Sequence, residues 1–105
     1  MKREQITPAP MGLGAFEAKA VELWQAEDLA YRAERGRRWP LVAERWGTAQ
    51  DLARRLQAEA LEAGDAKAER HFRIQGNLCG HRKYYAEDRQ EQLFLKSKRM
   101  KGRCK

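Results

Sequence analysis

The residues most suggestive of chemistry are three arginines placed next to an aromatic ring. Arg35, Arg37 and Arg38 directly precede Trp39 in the chain. Guanidinium groups attract phosphates, and an indole ring can stack on an unpaired base. The pattern therefore predicts contact with a polyanion, in which Trp39 provides a stacking surface. The alternative is that the arginines are merely solvated and that Trp39 belongs to the core.

A second group of cations lies at the C-terminal end of the chain. Residues 1–94 contain sixteen Lys and Arg against fifteen Asp and Glu, whereas the last eleven residues contain six cations and no acid. The net charge of +7 therefore comes almost entirely from this segment. Such a segment is typical of a binding device or of a solubility device. The predicted contacts are Lys96, Lys98, Arg99, Lys101, Arg103 and Lys105.

The segment from His81 to Tyr85 repeats the combination of cations and aromatic rings. Arg82 and Lys83 would extend the cationic surface along a helix, unless the tyrosines beside them simply belong to the core. A helix-turn-helix needs a short recognition helix, and the helices predicted below are too long for one. The pattern therefore favours nucleic acid without choosing between RNA and DNA.

Two cysteines and two histidines match the ligand count of a structural zinc ion, but their spacing does not. Cys79 and His81 are two positions apart, so on a helix their side chains diverge by about 200°. We expect no metal and no other cofactor. Cys79 should be a small buried thiol, and Cys104, among the terminal cations, the more reactive one.

Glu27 is the one carboxylate that interrupts an apolar helix face. We expect an internal pair with Arg45 that would fix the register of two helices. A catalytic carboxylate would need a second acid or a histidine beside it, and none is predicted there. The sequence also lacks a glycine-rich phosphate loop and a Ser-His-Asp set. We therefore expect a protein without enzymatic activity.

Helices must position these residues, because alanine occurs sixteen times and β-branched residues only six times. Helix one is predicted from near Gly12 to Arg35, with Gly36 as its stop. Helix two is predicted from Pro40 to Ala63, with a possible kink at Gly47. The apolar faces are Leu13, Phe16, Ala20, Leu23, Trp24, Ala30 and Tyr31, and then Val42, Trp46, Ala49, Leu52, Ala53, Leu56 and Ala60.

Gly64 and Asp65 predict a tight turn, since glycine ends one helix and aspartate begins the next. Helix three follows from Ala66 towards Lys96, unless it breaks near Gly76. It has two apolar strips, which predicts contacts with two neighbours. The first strip is Ala68, Phe72, Cys79, Ala86 and Leu93; the second, here called the outer strip, is Ile74, Leu78 and Tyr85.

These elements predict an all-α fold in which three long helices form an antiparallel up-down-up bundle with short connections. We divide the chain into a flexible arm (1–11), a helical bundle (12–96) and a basic tail (97–105). Folding back at Gly64 brings Arg89 beside Pro40. The tail and the Arg35–Trp39 loop should therefore lie at the same end of the bundle.

The sequence thus predicts a non-enzymatic module that binds nucleic acid or a nucleoprotein surface, largely independently of base sequence. One alternative is a small phage-type or accessory protein that docks on an acidic surface of a larger enzyme and inhibits or adapts it. Another is an oligomer built through the outer strip. Because no leader or membrane-spanning segment is predicted, we expect a cytoplasmic protein.

Overall fold

The computed structural model describes the backbone of residues 8–103 and the side chains of residues 8–98. A short 3-10 turn at Gly14–Phe16 leads into α1 (Glu17–Arg35), which is followed by α2 (Trp39–Glu62) and α3 (Ala66–Arg103). No strand occurs in this part of the chain. The predicted all-α fold and its antiparallel arrangement are confirmed.

The first helix begins later than Gly12, where the sequence placed its start. Residues 8–13 lack regular structure, and the side chain of Glu17 holds them against α1. Its carboxylate accepts hydrogen bonds from the backbone N–H groups of Met11, at 2.9 Å, and Leu13, at 3.0 Å. These bonds keep the pKa of Glu17 below its usual value. The carboxylate thus gives acceptors to two backbone N–H groups of the irregular segment that precedes α1.

The two connections between helices have the same backbone geometry. After α2, Asp65 N–H bonds to Ala60 O at 2.9 Å while Gly64 is left-handed, with a φ of 71°. After α1, Arg38 N–H bonds to Ala33 O at 3.3 Å. Both connections are Schellman motifs, in which two backbone hydrogen bonds close the end of the helix and glycine normally takes the left-handed position.

The position of the left-handed residue after α1 differs from the sequence prediction. Gly36, predicted as the stop, has a right-handed φ of −82°, and the left-handed residue is Arg37, with a φ of 54°. Helix α1 thus ends at Arg35 as predicted, but Gly36 does not take the left-handed conformation usual for a glycine cap. By contrast, Gly64 is the stop as predicted, and Asp65 caps α3 by accepting a hydrogen bond from the backbone N–H of Ala68.

Helix α2 runs unbroken through Gly47, as favoured from the sequence. Thr48 does not restart the helix; its hydroxyl donates to the carbonyl of Glu44 at 3.1 Å, within the same helix. The helix begins at Trp39, one residue before the predicted start at Pro40. A shift of one residue at a helix end is ordinary, because terminal turns are weakly defined.

The core lies along one face of α2, where this helix packs against α1 and α3. Small side chains let α2 and α3 approach closely: a Cβ added at Gly76 would lie 3.6 Å from the Cβ of Ala53. Helix α3 is continuous here, so the alternative of a break at Gly76 is not observed. The largest fully buried side chains are Trp46, Phe72, Leu23, Val42 and Cys79.

Helix α3 is longer than its partners, with 38 residues against 24 in α2. It continues beyond Lys96 to Arg103, so residues 97–103 of the segment assigned to the tail have helical backbone. Residues 87–98 are all exposed, because α2 begins opposite Arg89 and nothing in the described chain covers α3 beyond that level. Leu93, predicted to lie on the buried strip, is therefore 52% exposed.

The two strips of α3 have different environments. The first is buried from Ala68 to Ala86 and contacts both α1 and α2. The outer strip was expected to contact a second neighbour, but Ile74, Leu78 and Tyr85 are all exposed. The first strip therefore contacts both neighbouring helices, whereas among the described residues the outer strip meets α2 only where Tyr85 packs on Trp39. None of the helices in residues 8–103 is both long and apolar enough to cross a lipid bilayer.

Candidate nucleic-acid interface

Trp39 and Arg89 establish which segments share one end of the bundle. The guanidinium carbon of Arg89 lies 5.7 Å from the centre of the Trp39 ring, and Tyr85 packs edge-to-face on the same ring at 5.9 Å. Arg89 is thus opposite the start of α2, as the fold-back at Gly64 predicts. The Arg35–Trp39 loop and the exposed end of α3 consequently lie at the same end of the molecule.

The loop between α1 and α2 displays its cations to solvent. Arg35, Arg37 and Arg38 are exposed, and none of them has a carboxylate partner among the described side chains. The first turn of α2 adds no acidic residue, and no side chain caps its N-terminus. Backbone N–H groups at a helix start favour anions. The electrostatics of this loop therefore favour a negatively charged partner.

The exposed end of α3 adds further cations. Lys96 and Lys98 are exposed, and Lys96 lies about 10 Å along the helix axis from Arg89. An open groove of about 450 Å³ is lined by Arg89, Gln92, Leu93, Leu95 and Lys96. We call Arg35, Arg37, Arg38, Lys96 and Lys98 the cationic pole. Of the other predicted contacts, Arg99, Lys101 and Arg103 have side chains outside the described residues, as does all of Lys105.

Comparison of the chain with protein-family models, with curated proteins and with solved structures gave no match.

Arg82, a predicted contact, forms an internal contact instead of an open cationic surface. Its guanidinium donates to Glu34 Oε2 at 3.5 Å, and its Cζ lies 5.2 Å from the centre of the Tyr31 ring. Tyr31 packs in turn edge-to-face on Trp46, with 4.7 Å between ring centres. The side chain of Arg82 thus connects α3 to α1, and its charge is partly neutralised.

Lys83, the other contact predicted in this segment, is half-buried against α2. Its aliphatic carbons lie over Gly47, 3.6 Å from where a Cβ would stand. Long cationic side chains often cover apolar backbone in this way while the ammonium group stays in water. Lys83 therefore lies against the body of the bundle, whereas Arg82 bonds to Glu34, the residue directly before Arg35.

Glu27 is buried, but its partner is not Arg45. The thiol of Cys79 donates to Glu27 Oε2 at 3.4 Å, and Arg45 is exposed. The predicted Glu27–Arg45 pair is therefore absent. Burial raises the pKa of Glu27, and burial together with the neighbouring carboxylate raises the pKa of Cys79. Cys79 is a buried thiol, as predicted.

The described residues contain no cluster of three His, Cys, Asp or Glu side chains able to hold a metal ion. His71 is partly buried and packs edge-to-face on Phe72 at 5.4 Å. Burial lowers its pKa, and the nearby charge of Glu17 opposes that effect.

Two residues of the site region were missed by the sequence analysis. Arg89 was used to establish register, but its contact with Trp39 was not predicted. Glu34 accepts from both Trp46 and Arg82. The available signal was the buried indole of Trp46, which needs an acceptor.

A second groove, of about 270 Å³, lies between α1 and α2 and is lined by Leu29, Arg32, Ala33, Gly36, Arg38, Leu41 and Arg45.

Proposed function

We propose that this protein is a non-enzymatic cytoplasmic module that binds nucleic acid through the cationic pole, largely independently of base sequence. The observation that supports the proposal most directly is the packing of Arg89 on Trp39, at 5.7 Å. Two cationic segments, separated in sequence by α2 and most of α3, thus lie at one end of the bundle. Neither segment alone would make more than a few phosphate contacts.

The proposed mechanism is neutralisation of successive phosphates. Each phosphate contacted by a lysine or arginine releases condensed counterions, which is the source of affinity in sequence-independent binding. The unpaired arginines of the loop suit this role, because they lose no internal ion pair on binding. The exposed Lys96 and Lys98 extend the same surface along α3.

Trp39 has a restricted role in this proposal. Its ring is half-buried and contacts Arg89 and Tyr85, so only its exposed part is available to a base. A stacked base would add affinity for single strands, because duplex bases are not accessible to an aromatic face. We therefore expect phosphate contacts to dominate and single strands to be modestly preferred.

The test is binding of fluorescent single-stranded and duplex oligonucleotides at several salt concentrations. The double variant Arg37→Gln and Arg38→Gln should reduce the slope of log affinity against log salt by about two. Lys96→Gln with Lys98→Gln should do the same. The matched control is Arg54→Gln with Arg55→Gln, two exposed cations on α2 away from the pole.

Two results would contradict the proposal. One is an absence of binding to any oligonucleotide at low salt. The other is an equal loss in the α2 control, which would show that total charge matters and that the cationic pole does not. Equal weakening across unrelated oligonucleotide sequences would support sequence independence, because phosphate contacts do not distinguish bases.

The exposed apolar side chains at the end of α3 favour a second candidate function. Phe94 is 66% exposed, and Leu93 and Leu95 flank it beside Lys96. An exposed apolar anchor near Lys96 and Lys98 fits an acidic protein groove, as an inhibitor or adaptor of a larger enzyme would require. This function predicts that one stoichiometric protein is recovered from nuclease-treated lysate and lost with Phe94→Ala, while Leu61→Ala, at an exposed leucine of α2, retains it.

A further inference from the structure

The outer strip of α3 is an exposed apolar line within the part of α3 that packs on α2. Ile74 is 52% exposed, Leu78 36% and Tyr85 46%. His81, also exposed, lies on the same line, so that successive members are separated by four, three and four residues. This spacing is that of the contact line between two packed helices. The side chains of α1 and α2 contact the opposite, buried strip, apart from Trp39, which packs edge-to-face on one side of the half-exposed Tyr85.

The charges beside the outer strip change sign along the helix. Arg70 lies beside the N-terminal half of the strip, whereas Asp88 and Glu91 lie beside the C-terminal half. All three side chains are exposed, and none has an ion pair among the described residues. A face with separated charges of both signs is poorly suited to a phosphate backbone. Such a face is suited to an antiparallel copy of itself.

We propose that this face of α3 binds a second copy of the chain, forming an antiparallel two-fold dimer. In the register that fits best, Ile74 faces Tyr85 of the second copy, and Leu78 faces its His81. Each of these contacts occurs twice, because the two-fold axis passes between Leu78 and His81. The apolar layers thus meet in the centre of the interface.

The same register matches the polar neighbours of the strip. Arg70 faces Glu91 of the second copy, and Asn77 faces its Tyr84. A parallel pairing would instead set this flank of one helix against the opposite flank of the other, so Arg70 and Glu91 would not meet. Because only the antiparallel arrangement brings these opposite charges together, the Arg70–Glu91 pair favours it. The self-complementary charges are thus the reason for choosing a second copy as the occupant.

The dimer would have a consequence for the molecule as a whole. Because the two α3 helices run in opposite directions, their lysine-rich ends would lie at opposite poles. With the axis between Leu78 and His81, the two Lys96 residues would be separated by about 50 Å along the helices. The assembly would then present two cationic poles, whether or not either of them binds nucleic acid.

The experiment measures mass against concentration for nuclease-treated protein, by sedimentation equilibrium. Wild-type protein should change from monomer to dimer with rising concentration. Leu78→Glu should remain monomeric, because it places two carboxylates, one from each copy, close to the two-fold axis in the apolar centre of the interface. The matched control Leu61→Glu alters an exposed leucine on α2 and should dimerise like wild type.

A charge exchange tests the register. Arg70→Glu or Glu91→Arg alone should weaken the dimer about tenfold, since each disturbs two symmetry-related pairs. The two changes together should restore wild-type dimerisation. Arg55→Glu, at an exposed site on α2, controls for net charge. Circular dichroism should show the same helix content in all variants, because every altered side chain is exposed.

Three results would overturn the proposal. One is a monomeric mass at all concentrations up to ~1 mM, where even a weak complex forms. The others are equal dimerisation of Leu78→Glu and wild type, and a charge-exchanged double variant whose dimer affinity stays as low as that of the single variants. None of these measurements involves nucleic acid. Failure of the dimer and failure of the proposed binding function are therefore distinguishable.

Discussion

The indole N–H of Trp46 donates a 2.9 Å hydrogen bond to Oε1 of Glu34, which joins α2 to α1. Oε2 of the same carboxylate accepts from Arg82 on α3, at 3.5 Å. One glutamate therefore connects all three helices. Trp46 is fully buried, so its N–H has no access to water as an alternative partner.

Replacement of Glu34 by Ala should lower the free energy of unfolding by about 1–3 kcal/mol, because it leaves the buried indole N–H without an acceptor. Glu34→Gln keeps an oxygen acceptor and should cost less. Arg82→Ala should cost under ~1 kcal/mol, because the Arg82 side chain is 39% exposed and the pair is screened by water. Urea unfolding of the three variants checks this order, and equal costs for Ala and Gln would contradict it.

The elements of the fold could be predicted from the sequence because their signals are local. Gly64 and Asp65 each favour one backbone position, and the periodic apolar faces of α1 and α2 give most of the core, although Trp24 of the predicted α1 face is only half-buried and does not join it. The partner of Glu27 could not be predicted, because it depends on the crossing of α1 over α3. The Cys79 thiol, which the apolar pattern assigns to the core, is the polar group that this crossing places beside the carboxylate.

The candidate site was predictable only in part, for a related reason. A register counted from Gly64 was enough to place Arg89 near the start of α2. Counting along a helix does not show whether a cation has an internal partner. Arg82 bonds to Glu34, whereas Arg38 has no carboxylate partner among the described side chains. The exposure of Leu93 also depends on where α2 begins, and the apolar pattern of α3 does not show that.

Two glycines should respond in opposite directions to replacement by alanine. Gly64→Ala should destabilise by about 1 kcal/mol, because the position is left-handed and no side chain crowds it. Gly76→Ala should stabilise by about 0.5–1 kcal/mol, since alanine favours helix and its methyl group would meet Ala53 at 3.6 Å, an ordinary contact. Thermal and urea unfolding both measure these differences, and destabilisation by Gly76→Ala would show that the α2–α3 contact has no room for a methyl group.

The buried carboxyl of Glu27 should make the protein less stable as pH rises. Burial raises its pKa in the folded state above the ordinary value of 4.5, so the folded protein binds this proton more tightly than the unfolded chain does. The resulting stabilisation is complete below pH 4.5 and is lost as pH rises through the folded-state pKa. Glu27→Gln should therefore be more stable than wild type at neutral pH, with a difference that shrinks towards pH 4.

The measurement is urea unfolding of both proteins from pH 4 to pH 8. The difference between them isolates Glu27 from the other acids, and Glu22→Gln, at an exposed glutamate of the same helix, is the matched control. A difference between wild type and Glu27→Gln that stays constant across this range would show that Glu27 does not titrate differently in the folded state.

Cys79 should resist thiol reagents in the folded protein. It is fully buried, and burial and Glu27 both raise the pKa of its thiol, so little thiolate forms and reagents lack access. A Cys104→Ser variant leaves Cys79 as the sole thiol of the chain. This variant should release almost no chromophore from a disulfide reagent at pH 8 and one equivalent after denaturation in guanidinium chloride. Rapid native reaction would indicate that α3 opens from α1.

Arg37 should show a conflict between stability and binding. It is the left-handed residue after α1, where glycine is preferred, and it is exposed at the cationic pole. Arg37→Gly should raise the free energy of unfolding by about 0.5–1 kcal/mol, since relief of the left-handed strain exceeds the added flexibility of the unfolded chain. The same change should reduce the salt slope of nucleic-acid binding by about one, because one phosphate contact is lost.

Arg38→Gly separates the two effects. Arg38 has an ordinary φ of −89°, so glycine there should relieve no strain and should slightly destabilise the protein. Its salt slope should fall by about the same amount as that of Arg37→Gly. If Arg37→Gly also destabilised, the strain argument would be wrong. If Arg37→Gly stabilised but left the salt slope unchanged, Arg37 would be strained for a reason other than phosphate contact, and its place in the cationic pole would be wrong.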